Sequence, residues 1–545
     1  MNICIAQINT TPGDFQGNLK KIFRGLSYLD KTDMVIFPEM TIPGYLSKDL
    51  LFRENYVDTN LDNMFKVVTE SAKYPEKYII IGYVDHNLTG RGKPFRNMLA
   101  VIKSGRIIGT YQKQLLPFYD VFDEGRYFEP GTELLILNIP SLGKTGFTIC
   151  EDLWNDKEEK HYNYVNNPLE RYTKEHVETI ISINSSPYTT TKKSIRDYTL
   201  KSISEKYKFN VIYVNQTGGQ DSLVFDGDSQ IYKKTSNLVY LNSENYSEDR
   251  YECVNFLSDS HSRIYAHNDY NNNKEVYEVL VSGLRDYIHK SGFKEIVLGS
   301  SGGIDSALTA SLACDAIGSK NVHCIMMPSI YSSTGSIEDA RKLHKNLGCH
   351  EYLIPIGDIG DENGTVVTLI KSVVDINKER NPVANENIQA RMRAVIVMYM
   401  SNSYGWLPLT TGNKTEIAVG YFTLYGDAVG GFAPISDLYK KQVYDISRYI
   451  NSKKEIIPQE IIDKEPSAEL SPGQRDTDSL PPYSVLDNIV RDYIEFNKFM
   501  KHPDTERVIK MIDRSEFKRR QTAPGIKISN IAFGDGRRLP IVKKT

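Results

Sequence analysis

The chain has 545 residues, with 66 Lys and Arg against 69 Asp and Glu and a formal net charge of −3. That length exceeds one hydrophobic core and predicts two large domains, while a balanced charge without a basic arm argues against nucleic acid as a partner. No apolar run approaches the roughly 18 residues of a spanning helix, and the first residues lack the pattern of a signal peptide, so no membrane association is expected.

From Asn2 to about Gly227, short β-rich runs alternate with amphipathic stretches. Residues 2–8, 34–37, 78–83, 98–102, 146–149, 179–183 and 211–214 read as mostly buried strands, and 17–29, 55–72 and 191–206 as helices. The alternation predicts a layered α/β domain. Three strand ends carry reactive side chains: Glu39 after Val35-Ile36-Phe37-Pro38, Lys113 in Tyr111-Gln112-Lys113-Gln114, and Cys150 after Phe147-Thr148-Ile149.

Such a trio suits amide hydrolysis through a thioester. The thiolate attacks the carbonyl, the carboxylate takes the thiol proton and later activates water, and the cation stabilises the developing oxyanion. Lys113 would also favour the thiolate, and the N–H of Glu151 would be a second oxyanion donor. Taken singly, a buried Cys, an ion-paired Glu or a solvated Lys is ordinary.

In combination, Phe37-Pro38-Glu39, the segment Lys113 to Phe128 and Ile149-Cys150-Glu151-Asp152-Leu153-Trp154 resemble the three blocks of the nitrilase (carbon–nitrogen hydrolase) superfamily. The resemblance implies an αββα sandwich with a Glu39-Lys113-Cys150 triad. Asn184-Ser185-Ser186-Pro187-Tyr188 with Lys192 and Arg196, then Asn215-Gln216-Thr217-Gly218-Gly219-Gln220-Asp221, are similar to the glutaminase branch fused to NAD⁺ synthetases. By that likeness Tyr119, Ser186 and Lys192 would contact glutamine, and Glu124 would support the triad. Phe118 and Thr191 depart from the family pattern, where Asn and Gly are usual, which puts in doubt a polar contact at 118 and the loop shape before Lys192.

Between about 227 and 275 the pattern loosens into polar, Asn-rich stretches, and a linker is expected at 236–274, between a domain at 1–235 and a second at 275–545. A helix over 275–291 then feeds the strand Ile296-Val297-Leu298, followed by Gly299-Ser300-Ser301-Gly302-Gly303-Ile304-Asp305-Ser306. A small-residue turn from strand into helix aims N–H groups and a positive helix end at an anion. Glycines permit close approach, Ser301 and Ser306 add hydroxyls, and Asp305 is placed to hold Mg²⁺ on phosphates. No Lys sits in the turn, so it is not the G-x-x-x-x-G-K-[ST] loop. It resembles the loop of the N-type ATP pyrophosphatases.

The chain continues in βαβ style, with helix 307–317, strand 322–327, helix 336–347 and strand 351–356, which predicts a Rossmann-like, mostly parallel sheet with a nucleotide at the strands' carboxyl edge. Glu386 to Arg393, Leu409 to Glu416, Thr423 to Asp427, Pro434 to Lys440, Pro466 to Leu470 and Glu516 to Gln521, in that order, look like the NAD⁺ synthetase family. That likeness implies ATP contacts from the loop residues 299–306, Thr411, Lys440 and Ser467, and contacts to deamido-NAD⁺ from Asn387, Arg391, Glu416 and Lys518. It also implies Mg²⁺ on Asp305 and Glu416 and a homo-oligomer.

The expected reaction hydrolyses glutamine at Cys150 and uses the ammonia, after adenylation by ATP, to amidate deamido-NAD⁺. Two alternatives stand at this point: a ligase amidating another adenylated carboxylate, and a regulatory protein with a dead hydrolase half, against which the intact triad argues. Six scattered cysteines without a C-x-x-C pair argue against zinc and a disulfide framework and favour a reduced, cytoplasmic setting.

Overall fold

Strands buried on both faces need apolar residues at consecutive positions, because side chains alternate with period two. The computed structural model, which describes residues 1–155, 164–234, 238–242, 246, 248–257, 272–357 and 382–543, follows that rule. The chain divides into two units, Met1–Tyr270 and Asn271–Thr545.

In the first unit the strands are β1 (Asn2–Gln7), β2 (Met34–Ile36), β3 (Tyr78–His86), β4 (Phe95–Lys103), β5 (Arg106–Gln112), β6 (Ile136–Ile139) and β7 (Gly143–Ile149). They are followed by β8 (Thr179–Asn184), β9 (Asn210–Asn215), β10 (Thr217–Gln220), β11 (Leu223–Asp226), β12 (Ser229–Tyr232), β13 (Leu238–Asn242) and β14 (Arg250–Asn255). One sheet runs β14-β1-β2-β3-β4-β5, a second β13-β12-β9-β8-β7-β6, and β10-β11 form a hairpin. Ile3, Ile36, Ile80 and Val101 of the first sheet meet Phe147, Ile181, Ile212 and Ile231 of the second in one core. Their sequence neighbours turn the other way: Cys4, Val35, Ile79 and Ala100 pack under Leu19, Ile22, Met64 and Val67 of the helices Phe15–Leu26 and Tyr56–Ser71. Ile180 and Val211 lie under Leu169, Tyr172, Leu200 and Ile203 of the helices Pro168–Lys174 and Lys192–Tyr207. The result is helix, sheet, sheet, helix: the αββα sandwich.

The linker expected at 236–274 is corrected. Residues 238–242 pair with β12, and 250–255 pair antiparallel with β1, so both complete sheet edges. Asp249, read as part of a polar connection, accepts from the Asn9 N–H (2.8 Å) and Lys21 Nζ (3.2 Å). The signal is weak in sequence because edge strands carry polar residues on their open side. Of that expected linker, 236–237, 243–245, 247 and 258–271 lie outside the described residues, and 272–274 begin the helix Asn272–Lys290.

In the second unit β15 (Ile296–Gly299), β16 (Val322–Met326), β17 (His350–Leu353) and β18 (Leu407–Leu409) form a fully parallel sheet in the order β17-β16-β15-β18. The strand expected over 351–356 is the shorter β17. Val397 and Met400 of the helix Pro382–Tyr404 pack on Val297 and Ile325. A separate core gathers Leu486, Ile489 and Val490 of the helix Tyr483–Phe496 with Val508 and Ile512 of Thr505–Arg514. Strand order reverses between β15 and β18, and a crevice at the carboxyl ends of such a pair is where open α/β sheets bind ligands.

Candidate active sites

The first unit places Glu39 just after β2, Lys113 just after β5 and Cys150 just after β7. Gly82 on β3 lets the Glu39 turn approach, since a Cβ there would lie 2.4 Å from the Met40 nitrogen and 2.7 Å from the Pro38 carbonyl oxygen. Lys113 Nζ donates to Glu39 Oε1 at 2.8 Å and to Glu124 Oε1 at 2.8 Å, and Tyr45 donates to the same Glu124 oxygen at 2.9 Å. Glu39 also accepts from Asn97 Nδ2 (2.8 Å) and from the Ser185 N–H (3.0 Å). All three charged groups are buried, so each depends on the others. Burial alone would lower the Lys113 pKa, but Glu124 and Glu39 outweigh it and raise it.

Cys150 caps the short helix Glu151–Trp154 with φ 45° and ψ −98°, a conformation a non-glycine residue holds at a cost of about 1–3 kcal/mol. Burial raises its thiol pKa well above the ordinary value, and the charge of Glu39 adds to this while Lys113 opposes it. Lys113 thus favours the thiolate, as its charge predicts, but burial outweighs it.

Of the expected glutamine contacts, Tyr119 commits its hydroxyl to the Glu151 carboxylate (2.8 and 3.0 Å), which Tyr164 also reaches at 3.2 Å. Ser186 is anchored by its backbone to Asn215, through N–H to Oδ1 (2.8 Å) and through its carbonyl from Nδ2 (3.0 Å). Lys192 Nζ sits 3.7 Å from the centroid of Trp154, four residues past Cys150. Arg196, by contrast, is fully buried on Asp226 (2.9 Å) and Asp228 (2.6 Å) and shapes the turn between them. Asn97, Ser185, Tyr45 and Asp152 escaped the sequence reading. Asp152 stands inside the cysteine block and Ser185 inside the block Asn184 to Tyr188; Asn97 and Tyr45 carry no local mark.

In the second unit Gly302 has φ 77°, and a Cβ would lie 2.2 Å from the Ser336 carbonyl oxygen, so the turn requires glycine. Ser301 and Ser306 hydroxyls lie 3.2 Å apart; Ser306 donates to the Gly303 carbonyl (2.9 Å) and Ser301 accepts from the Gly303 N–H (3.2 Å), bracing the loop. The Ser300 N–H extends the sheet to Ile325 (2.8 Å), and its buried hydroxyl pairs with His344 Nε2 at 2.9 Å. Gly299 ends β15, and Ile304 begins the helix Ile304–Ile317.

Asp305 is not shut in an apolar core; its side chain is 18% exposed, and Lys440 Nζ lies 2.5 Å from its Oδ2 and 3.0 Å from Glu416 Oε1. Asn413 joins the two acids, donating from Nδ2 to Asp305 (2.9 Å) and accepting from the Glu416 N–H (3.0 Å). Burial raises the Glu416 pKa to about 7, against the pull of Lys440. Burial would lower the Lys440 pKa, but Asp305 and Glu416 raise it. Beside them a cavity is lined by Thr410, Gly412, Glu416, Phe422, Asp427 and Thr522, and Thr411 is half-buried.

The other expected contacts divide. Asn387 accepts from Thr423 Oγ1 (2.6 Å), and the exposed Arg391 donates to the Leu424 carbonyl (3.2 Å). Lys518 Nζ donates to the carbonyls of Gly420 and Phe422 (both 2.8 Å); burial and the Arg391 charge lower its pKa, with Asp427 opposing. Ser467 closes its own loop, donating to the Gln474 carbonyl at 2.5 Å. The basic run beyond Lys518 gathers around Glu516, which Arg519 (2.9 Å), Arg520 (3.2 Å) and Arg537 (3.4 Å) all reach, so those arginines hold the fold.

A thiol–carboxylate–lysine hydrolase unit followed by a phosphate-loop unit defines a class, the carbon–nitrogen ligases that draw nitrogen from an amide. Family models agree: carbon-nitrogen hydrolase matches residues 2–248 and NAD synthase 276–522. The chain is 38% identical to the glutamine-dependent NAD(+) synthetase of Thermotoga maritima, with 100% of this chain and 99% of that one covered. It is also 38% identical to that of Synechocystis sp., over 99% and 98% of the two chains. A solved glutamine-dependent NAD⁺ synthetase from Acinetobacter baumannii, in complex with ADP, is 33% identical with a TM-score of 0.76, covering 99% of this chain and 98% of that one. The chain belongs to the glutamine-dependent NAD(+) synthetase family. Amidation of a different carboxylate and a dead hydrolase half are thereby set aside.

Proposed function

We propose that Cys150 attacks the side-chain amide of glutamine while Glu39 takes its proton, Lys113 and the Glu151 N–H stabilise the oxyanion, Glu39 returns the proton as the C–N bond breaks and ammonia leaves, and Glu39 then activates water to hydrolyse the thioester and release glutamate. Glu124 holds Lys113 in place. Tyr119, Ser186 and Lys192 orient the amino acid, Tyr119 acting through Glu151. In the second unit Gly302, Gly303 and the first turn of the helix from Ile304 receive the ATP phosphates, with Ser301, Ser306, Thr411 and Lys440 around them and Ser467 shaping a neighbouring loop. Asn387, Arg391, Glu416 and Lys518 take deamido-NAD⁺. Arg391 and Lys518 are neighbouring cations, an arrangement that an anionic substrate stabilises.

The nicotinate carboxylate attacks the α-phosphorus of ATP and pyrophosphate leaves, which gives the carboxylate a leaving group, and ammonia then displaces AMP. Mg²⁺ fits: Asp305 and Glu416 carboxylates face one point, now bridged by Lys440, and one or two acids plus phosphates are the usual donor set. Bound there, it would neutralise phosphate charge. We also propose a homo-oligomer in a reduced, cytoplasmic setting. No helix among the described residues is long and apolar enough to cross a membrane.

The observation that carries the reading is the shared ion-pair cluster of Lys113 with Glu39 and Glu124 beside Cys150. The test is ATP-dependent NAD⁺ formation with glutamine or with ammonium. Cys150→Ala is expected to lose roughly 10⁴-fold or more with glutamine and to keep ammonium-driven synthesis within about twofold. Equal activity on glutamine would sink the assignment.

A further inference from the structure

We propose that Asp152 is a positioning residue for the nucleophile, the side chain that fixes the Cys150 turn against the segment leaving Lys113. The inference rests on the glutaminase reading above and adds a residue to it.

Asp152 is fully buried, and each of its two oxygens accepts from two donors. Oδ2 accepts from the Ile149 N–H at 3.0 Å, on the residue before Cys150, and from the Tyr111 hydroxyl at 2.9 Å. Oδ1 accepts from the N–H groups of Leu115 (2.8 Å) and Gln114 (3.2 Å), the two residues after Lys113. One carboxylate thus ties together the strand ends that carry the thiol and the ammonium. No charged side chain shares its oxygens among the described residues; its partners are three backbone donors and a phenol. They make it an acceptor only, a task for an ionised acid.

A second observation says why such a clamp is needed. Cys150 sits at φ 45° and ψ −98°, a strained turn that persists only where its surroundings over-determine it. The Cys150 N–H reaches the Ile183 carbonyl at 3.0 Å, which holds one side of the turn. Asp152 supplies the other side. Loss of the clamp relaxes the turn and moves the sulfur relative to Lys113 and Glu39, and a displacement near 1 Å at a reacting centre costs on the order of 10²-fold in rate. Substrate affinity, set by groups outside the clamp, is left largely in place. The four donors also explain why an amide is a poor replacement: Asp152→Asn turns one acceptor oxygen into an NH₂ group facing donors.

The experiment uses the full chain and compares wild type, Cys150→Ala, Asp152→Asn and Tyr111→Phe, each assayed for NAD⁺ formation with glutamine and with ammonium. Asp152→Asn is expected to lower kcat on glutamine about 10²-fold with KM for glutamine within about threefold, and to leave ammonium-driven kcat within about twofold. Tyr111→Phe removes one donor of four and is expected to give a smaller drop, roughly three- to tenfold, with the same split. It keeps the test decisive if Asp152→Asn does not fold. Unchanged glutamine kcat in a folded Asp152→Asn overturns the proposal. A parallel fall of both activities, or a loss in KM alone, also overturns it, because either marks general destabilisation or a binding role. If wild type makes no NAD⁺ from glutamine, or Cys150→Ala retains it, the underlying glutaminase reading fails instead.

Discussion

Burial pushes the Cys150 thiol pKa well above its ordinary value, Glu39 adds to this, and Lys113, held between Glu39 and Glu124, opposes it. A raised thiol pKa means that the thiolate fraction is small at neutral pH and grows as pH rises towards that value. Inactivation of glutamine-driven synthesis by iodoacetamide is therefore expected to accelerate continuously from pH 7 through 9; a plateau below pH 8 would contradict the assignment. Lys113→Met leaves two carboxylates buried without their cation. It should cost about 3–5 kcal/mol in the first unit's stability by denaturant unfolding, along with glutamine-driven turnover. In the second unit, Gly302→Ala meets both a positive φ and the Ser336 carbonyl oxygen at 2.2 Å. The expected result is a loss of about 1–3 kcal/mol, with weaker ATP binding read by calorimetry and unchanged glutamine hydrolysis.

At the scale of elements, the edges of the sandwich decide where the first unit ends. β14 pairs with β1 along six residue pairs, from Asn2 opposite Asn255 to Gln7 opposite Arg250. Tyr251 stacks on Tyr28 with centroids 5.4 Å apart and donates to the Lys21 carbonyl at 2.8 Å. Tyr251→Ala should therefore destabilise the first unit by about 3 kcal/mol, as for a core aromatic. A fragment of residues 1–270 should unfold at distinctly higher denaturant than one of 1–235, which lacks β13 and β14 and leaves β1 and β12 open; equal midpoints would return the stretch to linker status. The same reasoning separates Arg196 from the site. Its guanidinium is spent on Asp226 and Asp228, so its replacement is a matter of stability before catalysis.

For the whole molecule, a glutaminase unit and a ligase unit on one chain have a chemical purpose, since free ammonia is mostly protonated at neutral pH and then no nucleophile. With ¹⁵N-amide glutamine and excess unlabelled ammonium, the carboxamide of the NAD⁺ formed should carry mostly label; free dilution would refute protected transfer. Sequence by itself settled the pieces whose chemistry is written locally: Glu39, Lys113 and Cys150 at strand ends, the Gly302-Gly303 turn entering a helix, and the alternating apolar runs that make a layered α/β fold. Tertiary structure alone decided who serves them. Asn97 lies 58 residues from Glu39, Ser185 lies 146 from it, Asp152 lies 37 from Leu115 and Asn413 lies 108 from Asp305. A hydrogen bond between such residues has no periodicity, because it is created only when distant segments fold together, and the same is true of the burial that raises the Cys150 thiol pKa and of the turn of Arg519 inward onto Glu516.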